Sequence, residues 1–277
     1  MRYGQKRTAP KHEGDVVNFR KFNSISPSLT PLTEGVTPDG RSLDISKVDA
    51  IVKQYGDYIT ISDKLDTIGI DPVLTQATQV LGESAGLTLD TLVRNEIVSG
   101  TNVQYPNGKI SRSLITSTDI INSEEIFKAV RTLRKQNARP LDGGYYIGII
   151  SPATAFDIQK DSLWQDISKY SDGENIMKGE IGKIGGVRFV QTSNSSTVSN
   201  GATPPISLHQ TMIIGKDAYG VIDIDGQSKP KIIIKNLSDG GADDPLEQRA
   251  SCGWKALFAA KRLNELAMIR IEHPVSN

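Results

Sequence analysis

The feature that most constrains this chain is a long apolar stretch near its C-terminus, residues 243–272, with the sequence DDPLEQRASCGWKALFAAKRLNELAMIRIE. It begins in an acidic loop that contains Pro245, continues through a run of aromatic and aliphatic side chains, and ends in residues 268–272, which alternate as a strand does. Periodicity alone does not decide whether residues 254–268 form a helix or a strand. Catalytic residue types are not concentrated here, so the stretch favours packing and assembly over turnover of a substrate.

Composition is ordinary for a folded, water-soluble chain. The 277 residues suffice for one large domain or two medium ones. Lys plus Arg and Asp plus Glu number 32 each, so the net charge is near zero. Proteins that recognise nucleic acid usually carry a basic excess. We therefore expect any contact with DNA to be diffuse and weak.

A single cysteine, Cys252, excludes a disulfide within the chain and a zinc site built from cysteines. It indicates a reducing compartment and a buried position in the core or a sheet. No apolar run approaches the ~18 residues that cross a bilayer. Residues 1–11 are basic but lack an apolar centre, so we expect no signal peptide.

The N-terminal quarter lacks an obvious core. Residues 1–15 are polar and predict an arm, and residues 15–22 alternate as a half-buried strand does. Residues 24–63 contain three prolines, a Pro-Asp-Gly turn at 38–40 and a β-rich run from 43 to 62. A hairpin with little apolar surface cannot be held by its own core. We therefore expect it to project from the body and to need a neighbour.

Residues 70–99 predict a long helix, with Asp71 as N-cap and Pro72 as its first residue. Gly82 and Gly86 inside it indicate a bend or a close approach of another backbone. Its apolar side chains recur at three- and four-residue steps and predict one buried stripe: Leu74, Ala77, Val80, Leu81, Ala85, Leu92, Val93 and Ile97.

The remaining elements alternate irregularly. A second helix is predicted at 123–137, with Asn122 as N-cap and Glu125 three residues on, and with Ile126, Phe127, Val130 and Leu133 as its buried stripe. A short helix follows Ser151-Pro152 and ends at Lys160. Strands are predicted at 145–150, 186–191, 207–215, 219–224 and 231–235. This mixture without regular βαβ units favours the α+β class.

Residues that perform catalysis or bind metals are scattered. The chain has three histidines far apart in sequence, none at metal-ligand spacing: His12, His209 and His273. Asp239, Asp243 and Asp244 cluster in a Gly-rich loop, but without the spacing of an EF-hand. The Gly-rich residues 179–186 fail the phosphate-loop pattern, because Ile184 follows Gly182-Lys183, and they predict a tight turn before a strand. We expect no enzyme activity, cofactor or metal.

Four blocks, in order, carry a resemblance: LTEGVTPDGRSLDISKVDAIVKQYGDYITISD at 32–63, GEIGKIGGVRFVQTSN at 179–194, MIIGKDAYGVIDI at 212–224, and the closing stretch. Together they resemble the major capsid (coat) protein family of tailed phages, which has the Hong Kong 97-type fold, in the branch related to the coat protein of phage N-four. Family members generally carry more sequence before the part that resembles residues 3–22.

The resemblance implies a layout and extended strand for most of residues 254–268. The implied parts are an N-terminal arm and first strand at 1–23, an extended loop or projecting hairpin at 24–63, a peripheral domain at 64–118 with a spine helix at 70–99, an axial domain at 119–249, and a return strand of the peripheral domain at 250–277. Charged residues of the hairpin are candidates for contacts between subunits: Arg41, Asp44, Lys47 and Asp49.

The resemblance also implies a function. It is that of a structural protein, not an enzyme, which self-assembles into pentamers and hexamers of an icosahedral shell around double-stranded phage DNA. Its partners would be copies of itself, portal, scaffold and decoration proteins, and packaged DNA through weak non-specific contact, with no membrane. Its place would be the virion, after assembly in the host cytoplasm. The alternatives are an encapsulin-type compartment with protein cargo and an unrelated soluble enzyme with a cryptic site.

Overall fold

Mixed helices and strands build the fold in the computed structural model, which describes residues 2–9, 14–23, 25–68, 72–141, 143–164, 180–224, 229–237, 244–246 and 248–276. The elements are β1 (Gln5–Ala9), β2 (Val16–Phe22), β3 (Ile45–Ile51), β4 (Lys53–Ser62), α1 (Asp63–Ile68), α2 (Val73–Val98), β5 (Val103–Gln104), α3 (Ser123–Lys135), β6 (Tyr146–Ile150), α4 (Pro152–Lys160), β7 (Glu180–Ile184), β8 (Val187–Gln191), β9 (Thr197–Ser199), β10 (Ser207–Ile214), β11 (Tyr219–Ile224), β12 (Lys231–Lys235), β13 (Arg249–Arg262) and β14 (Met268–His273). No helix in these ranges is long and apolar enough to cross a lipid bilayer.

A five-stranded sheet is built around the long strand β13. This strand pairs antiparallel with β4, β12 and β11, and β1 adds a parallel strand beyond β11. Because side chains of a strand alternate between the two faces of a sheet, Cys252, Trp254 and Phe258 share one face. That face packs against α2, and all three side chains are buried in one apolar cluster with residues of the helix.

Helix α2 spans both sheets of the molecule. Its 26 residues extend over about 39 Å. The buried stripe repeats every four residues: Ala77, Leu81, Ala85, Leu89, Val93 and Ile97. The main apolar cluster joins five of these side chains to β13 and to Met212 and Met268 of the second sheet: Leu81, Ala85, Leu89, Val93 and Ile97. The helix therefore fixes the two sheets relative to each other.

The second sheet has seven strands, in the order β5-β14-β10-β6-β8-β7, with β9 added to β10. Strand β10 supplies side chains to both of its faces. Met212 and Ile214 lie in the cluster with α2, whereas Ile213 lies in a separate cluster with α3 and α4. The sheet is thus a middle layer, covered on one face by the end of α2 and on the other by α3 and α4.

A two-stranded ribbon, β2 paired antiparallel with β3, lies on the face of the five-stranded sheet that is opposite to α2. Val17, Phe19 and Ala50 of the ribbon are buried against Ile222 and Ala259 of the sheet. Ala259 follows Phe258, so it points to the opposite face. The ribbon is therefore anchored by a small apolar cluster of its own.

Most predicted elements are confirmed. The long helix, α3, α4 and the strands β2, β6, β8, β10, β11 and β12 lie within one or two residues of their expected bounds, except that the described start of α2 is Val73 and Asp71 falls outside the described residues. The side chain of Asn122 accepts a hydrogen bond from the Glu125 amide at 3.0 Å, as an N-cap does. Residues 254–262 are strand, which resolves the ambiguity in the closing stretch.

Two expectations about the N-terminal quarter are wrong. Residues 5–9 of the expected arm form β1, because the edge of β11 supplies backbone partners that the local sequence does not reveal. Residues 53–62 do not belong to a projecting hairpin, since β4 pairs with β13 along ten residues. Ile61 of β4 is buried beside Ala77 and Ala250.

Three details of the helix predictions also differ from the structure. Val80 is exposed, whereas Leu89, which was not among the predicted buried residues, is buried. A Cβ atom added at Gly82 or Gly86 would meet open space, so neither glycine permits a close approach of another backbone. In α3, Phe127 is partly exposed, whereas its three expected companions are buried.

The strand pairing also cuts across the expected domain ranges. β11 and β12, from the expected axial range 119–249, pair with β13 in the five-stranded sheet. β14, from the expected return-strand range 250–277, pairs with β10 in the seven-stranded sheet. Each sheet therefore contains strands from a range that was expected to belong to the other domain.

Two leucines of α2 test this packing. Leu89 is 1% exposed and Leu87 is 57% exposed. We expect Leu89→Ala to lower the free energy of unfolding by about 3 kcal/mol, since it leaves a cavity between helix and sheet. The matched Leu87→Ala change should cost less than about 0.5 kcal/mol. Denaturant unfolding of the isolated subunit measures both, and equal losses would contradict the placement of the buried stripe.

Candidate assembly surface

The most exposed apolar segment is the connection between β2 and β3. Every residue from 25 to 45 is exposed. Residues 25–44 are called the exposed loop below. Five of its large apolar side chains face water: Ile25, Leu29, Leu32, Val36 and Leu43. Leu29 is 89% exposed and Leu32 is 75% exposed. A concentration of exposed apolar side chains in one segment is typical of sites of interaction with other macromolecules.

Hydrogen bonds close the base of the exposed loop, where it leaves the ribbon. The Asn23 amide donates to the Asp44 carbonyl oxygen at 3.0 Å, and Asn23 Nδ2 donates to Asp44 Oδ2 at 2.6 Å. Ser46 Oγ donates to Asn23 Oδ1 at 2.9 Å. The two ends of the loop are therefore held together, and the loop leaves the ribbon at a defined position.

Two further contacts shape the exposed loop itself. Arg41 Nη1 donates to the Ser26 carbonyl oxygen at 2.6 Å and joins the two limbs of the loop. The Val36 amide donates to the Thr33 carbonyl oxygen at 3.2 Å, which closes a tight turn. Gly35 takes φ +77° in this turn, a conformation that favours glycine. The turn brings Glu34 to the apex, with Leu32 and Val36 on either side.

The four charged residues predicted to contact another subunit differ in position. Asp44 and Arg41 have the partners within the chain described above. Lys47 and Asp49 are exposed on β3, opposite Arg20 and Asn18. The structure brings all four to the ribbon and the base of the exposed loop, and not to a cleft.

Residues considered for chemistry do not converge. His12, Asp239 and Asp243 fall outside the described residues. Asp244 accepts a hydrogen bond from the Arg249 amide at 2.7 Å. Within the described ranges, no group of three or more His, Cys, Asp or Glu side chains could hold a metal ion. Gly185 and Gly186 form the predicted tight turn between β7 and β8.

His209 and His273 are opposite each other on β10 and β14. Ser151 Oγ lies 2.9 Å from His209 Nδ1, and the same Ser151 caps α4. His273 is fully buried, with Nδ1 2.9 Å from the Pro274 carbonyl oxygen and Nε2 3.0 Å from Thr211 Oγ1. Both imidazoles are therefore held in hydrogen bonds within the fold.

A buried charge cluster was missed by the sequence analysis. Glu272 is 0% exposed. Its carboxylate accepts two hydrogen bonds from Arg112, at 2.6 and 2.7 Å, and one each from Arg270 Nε at 2.8 Å and Gln210 Nε2 at 2.9 Å. Alternation in residues 268–272 predicted a strand, and it gave no indication that Arg270 and Glu272 are buried. Opposite charges two residues apart on one face were the only local signal, and nothing pointed to Arg112.

This cluster ties three segments together. Arg270 also donates to the carbonyl oxygens of Val98 and Gly100 at the C-terminal end of α2, where a cation is favoured. Arg112 belongs to the loop between β5 and α3. Although burial opposes ionisation, the bonds from Arg112 and Gln210 and the charge of Arg270 hold the pKa of Glu272 below its usual range.

Comparisons with known proteins agree with this geometry. The family model of phage capsid proteins matches residues 46–271. Three solved structures share the fold: the capsid of Ralstonia phage GP4 (TM-score 0.78, 15% identity, 99% of this chain and 87% of that chain covered), the capsid asymmetric unit of cyanophage Pam1 (0.75, 12%, 96% and 87%), and the head of Helicobacter pylori bacteriophage KHP40 (0.73, 12%, 97% and 88%). No curated protein sequence matches the chain.

The two-sheet body, the spanning helix and the exposed loop define a structural protein with the α+β Hong Kong 97-type capsid fold. The chain belongs to the phage capsid protein family, and it is a structural major capsid protein of the virion. The resemblance stated from the sequence is therefore confirmed. The narrower placement beside the coat protein of phage N-four stays a prediction.

Removal of the buried carboxylate of Glu272 should lower the stability of the fold. We expect Glu272→Gln to lower the free energy of unfolding by about 3 kcal/mol, because the buried Arg270 loses the carboxylate that compensates its charge. Glu124→Gln is the matched control, since Glu124 pairs with Lys128 on the exposed surface of α3, and it should cost less than about 0.5 kcal/mol. Denaturant midpoints measure both. A similar small loss in each would show that the cluster contributes little.

Stability should fall in mild acid because of His273. Burial holds its pKa at about 4, below the value of about 6.5 in an unfolded chain. Asp157 opposes this shift and His209 adds to it. The unfolded state therefore binds the proton first, so stability is full above pH ~6.5 and is lost as the pH falls toward ~4.

Between pH 7 and 5 we expect His273 to contribute a loss of about 2 kcal/mol. His273→Gln should remove most of this loss, and a smaller one should remain from His209, whose pKa burial also lowers. Unfolding curves at the two pH values, recorded for both proteins, provide the measurement. The same pH dependence in the variant as in the wild type would refute the assignment.

Proposed function

We propose that this capsid protein self-assembles into pentamers and hexamers of an icosahedral shell that encloses double-stranded phage DNA. The observation that carries the proposal is the exposed loop: it is closed at its base, shaped by a turn, and leaves five large apolar side chains in water. A single copy has no core for these side chains. Other copies of the same chain can bury them.

The mechanism is association energy spread over many modest contacts. When each subunit extends its loop over the next one, the contact is heterologous, and such contacts generate closed rings when the rotation closes. Rings of five and six subunits then tile a shell. A net charge of zero lets many copies pack closely without strong mutual repulsion.

We propose a domain layout that follows the sheets. The peripheral domain consists of the five-stranded sheet with α2 as the spine helix. The axial domain consists of the seven-stranded sheet with α3 and α4, and its loops surround the five- and six-fold axes. The extended loop consists of the ribbon β2–β3 and residues 25–44. Strand pairing supports these bounds.

A shell protein is also expected to have partners other than copies of itself. A shell of this kind needs portal and scaffold proteins, and it accommodates decoration proteins. Packaged DNA would make weak, non-specific contacts, since the chain has no basic excess. Assembly would take place in the host cytoplasm. We propose no catalytic activity for this protein.

A deletion tests the role of the exposed loop. Removal of residues 26–42, with a short Gly-Ser bridge, keeps both strands of the ribbon and the bonds at its base. We expect the variant to remain folded and to lose shells in sedimentation and negative-stain images. The matched variant replaces Leu29, Leu32 and Val36 with Ser at constant length, and it should fail in the same way, because both variants lose these three apolar side chains.

Shells at normal yield from either variant would contradict the proposed role of the loop. The contents of wild-type shells decide between a virion and a cargo compartment. We expect nuclease-protected double-stranded DNA in particles isolated from infected cells. A packaged enzyme in place of DNA would favour the compartment.

A further inference from the structure

Helix α2 does not fill the space above the seven-stranded sheet. Met212, Ile149 and Val190 lie opposite one another on β10, β6 and β8, so they share the face toward the helix. Met212 is buried in the cluster with α2, whereas Ile149 and Val190 are only partly buried. Strand β6 lies between β10 and β8, so the exposure of Ile149 does not come from a sheet edge. Space therefore remains between the helix and the sheet.

This space is a cavity of about 300 Å³. Met212, Ile149 and Val190 form its floor, and Val93 and Ile97 in the last turns of α2 form its roof. An apolar cavity of about 150 Å³ stays dry and binds benzene, so one of twice that volume has room for about twelve non-hydrogen atoms. Floor and roof supply no polar side chain that could hold an ordered water. The centre of the cavity therefore suits an apolar group.

One end of the cavity is aromatic. Tyr3 and the buried Tyr219 line it there. A Cβ atom at Gly4 would lie 2.5 Å from Tyr219 Cε2, so the N-terminal segment lies directly on this ring. The pairing of β1 with β11, which begins at Gln5, holds the segment in that position. Residues 3 and 4 thus bound the cavity at this end.

The charged residues of the lining are Arg2, Asp90 and Arg94. Asn194 Nδ2 donates to Asp90 Oδ2 at 3.0 Å, and Arg94 Nη1 donates to Asn194 Oδ1. One amide therefore joins the two opposite charges of α2. Arg2 is exposed and lies over the Tyr3 ring, so its charge stays hydrated. An ionised ligand would leave water without a dedicated counter-charge, and a neutral ligand is favoured.

Gln210 supplies a polar group to the cavity. It lines the cavity and is 7% exposed. Its Nε2 donates to Glu272 Oε1 at 2.9 Å, which fixes the orientation of the amide. Among the described residues, no donor bonds to its side-chain oxygen Oε1. Because buried acceptors are normally paired, this oxygen favours a ligand that carries a hydrogen-bond donor.

We propose that the cavity binds a small neutral molecule with an apolar body of about ten to twelve non-hydrogen atoms and one hydroxyl group. The body packs between Ile97 of α2 and Ile149 of the sheet, and the hydroxyl donates to Gln210 Oε1. Such a ligand bridges α2 and the second sheet, so it stabilises the position of the helix that joins both sheets. The inference does not depend on how the subunits assemble.

A matched pair of probes tests the ligand class. 2-Naphthol has a fused aromatic body of this size and one hydroxyl, and 2-methoxynaphthalene has the same body without a donor. Titration calorimetry on the full-length subunit should give a single site for 2-naphthol with a Kd on the order of 100 µM. The methoxy compound should bind about tenfold more weakly, since it cannot donate to Gln210.

A cavity-filling substitution tests the location. Ile149→Phe adds volume to the floor, and we expect it to weaken binding of 2-naphthol at least about tenfold, because the body of the probe no longer fits. Leu87→Phe makes the same change of residue class on the exposed side of α2, and it should keep the wild-type affinity. Denaturant unfolding of both variants shows whether each is folded before the titration.

Methyl NMR locates the probe without any substitution. In the wild-type chain with labelled isoleucine methyl groups, 2-naphthol should shift the signals of Ile149 and Ile97. The signal of Ile126 should stay in place, because Ile126 lies in the cluster on the other face of the sheet.

Three results would overturn the proposal. The absence of binding heat and of methyl shifts with 2-naphthol would show that the cavity does not take such a ligand. Equal affinity for the two probes would refute the hydroxyl contact with Gln210. Binding that leaves the Ile149 signal unchanged, or that persists unchanged in a folded Ile149→Phe variant, would place the probe elsewhere.

Discussion

Burial of β13 beneath α2 is the interaction on which the rest of the structure depends. Cys252, Trp254 and Phe258 meet the helix along one face, and β4, β11 and β12 all take their places by pairing with the same strand. Because α2 extends beyond its contact with β13, its last turns reach the second sheet. The buried charges of Arg270 and Glu272 then fix that end of the helix. One strand and one helix thus position both sheets.

The opposite face of the same sheet connects this core to assembly. One end is covered by the ribbon, and at the other end Tyr58 is 70% exposed beside Gly253 and Ile233. The exposed loop that extends from the ribbon has apolar side chains without a core. A subunit therefore carries apolar side chains that it cannot bury alone. Apolar surface that is left in water by a folded chain is available to drive association.

Much of the fold could be predicted from the sequence, and the misses have a common cause. Helices α2, α3 and α4 follow from caps and periodicity, which act over a few residues. Strand β1 and the pairing of β4 with β13 depend on partners about two hundred residues away, which no local pattern contains. The buried charge cluster of Glu272 depends on Arg112, which lies 160 residues away in the sequence.

The sequence by itself determined where helices α2, α3 and α4 and most of the strands lie, and that the chain resembles phage capsid proteins, since these depend on residue types and spacings within short windows. Only the tertiary structure decided which strands share a sheet, which charges are buried and which apolar side chains remain in water. Those properties depend on what lies next to a residue in space, and long-range strand pairing and the course of α2 set these neighbours.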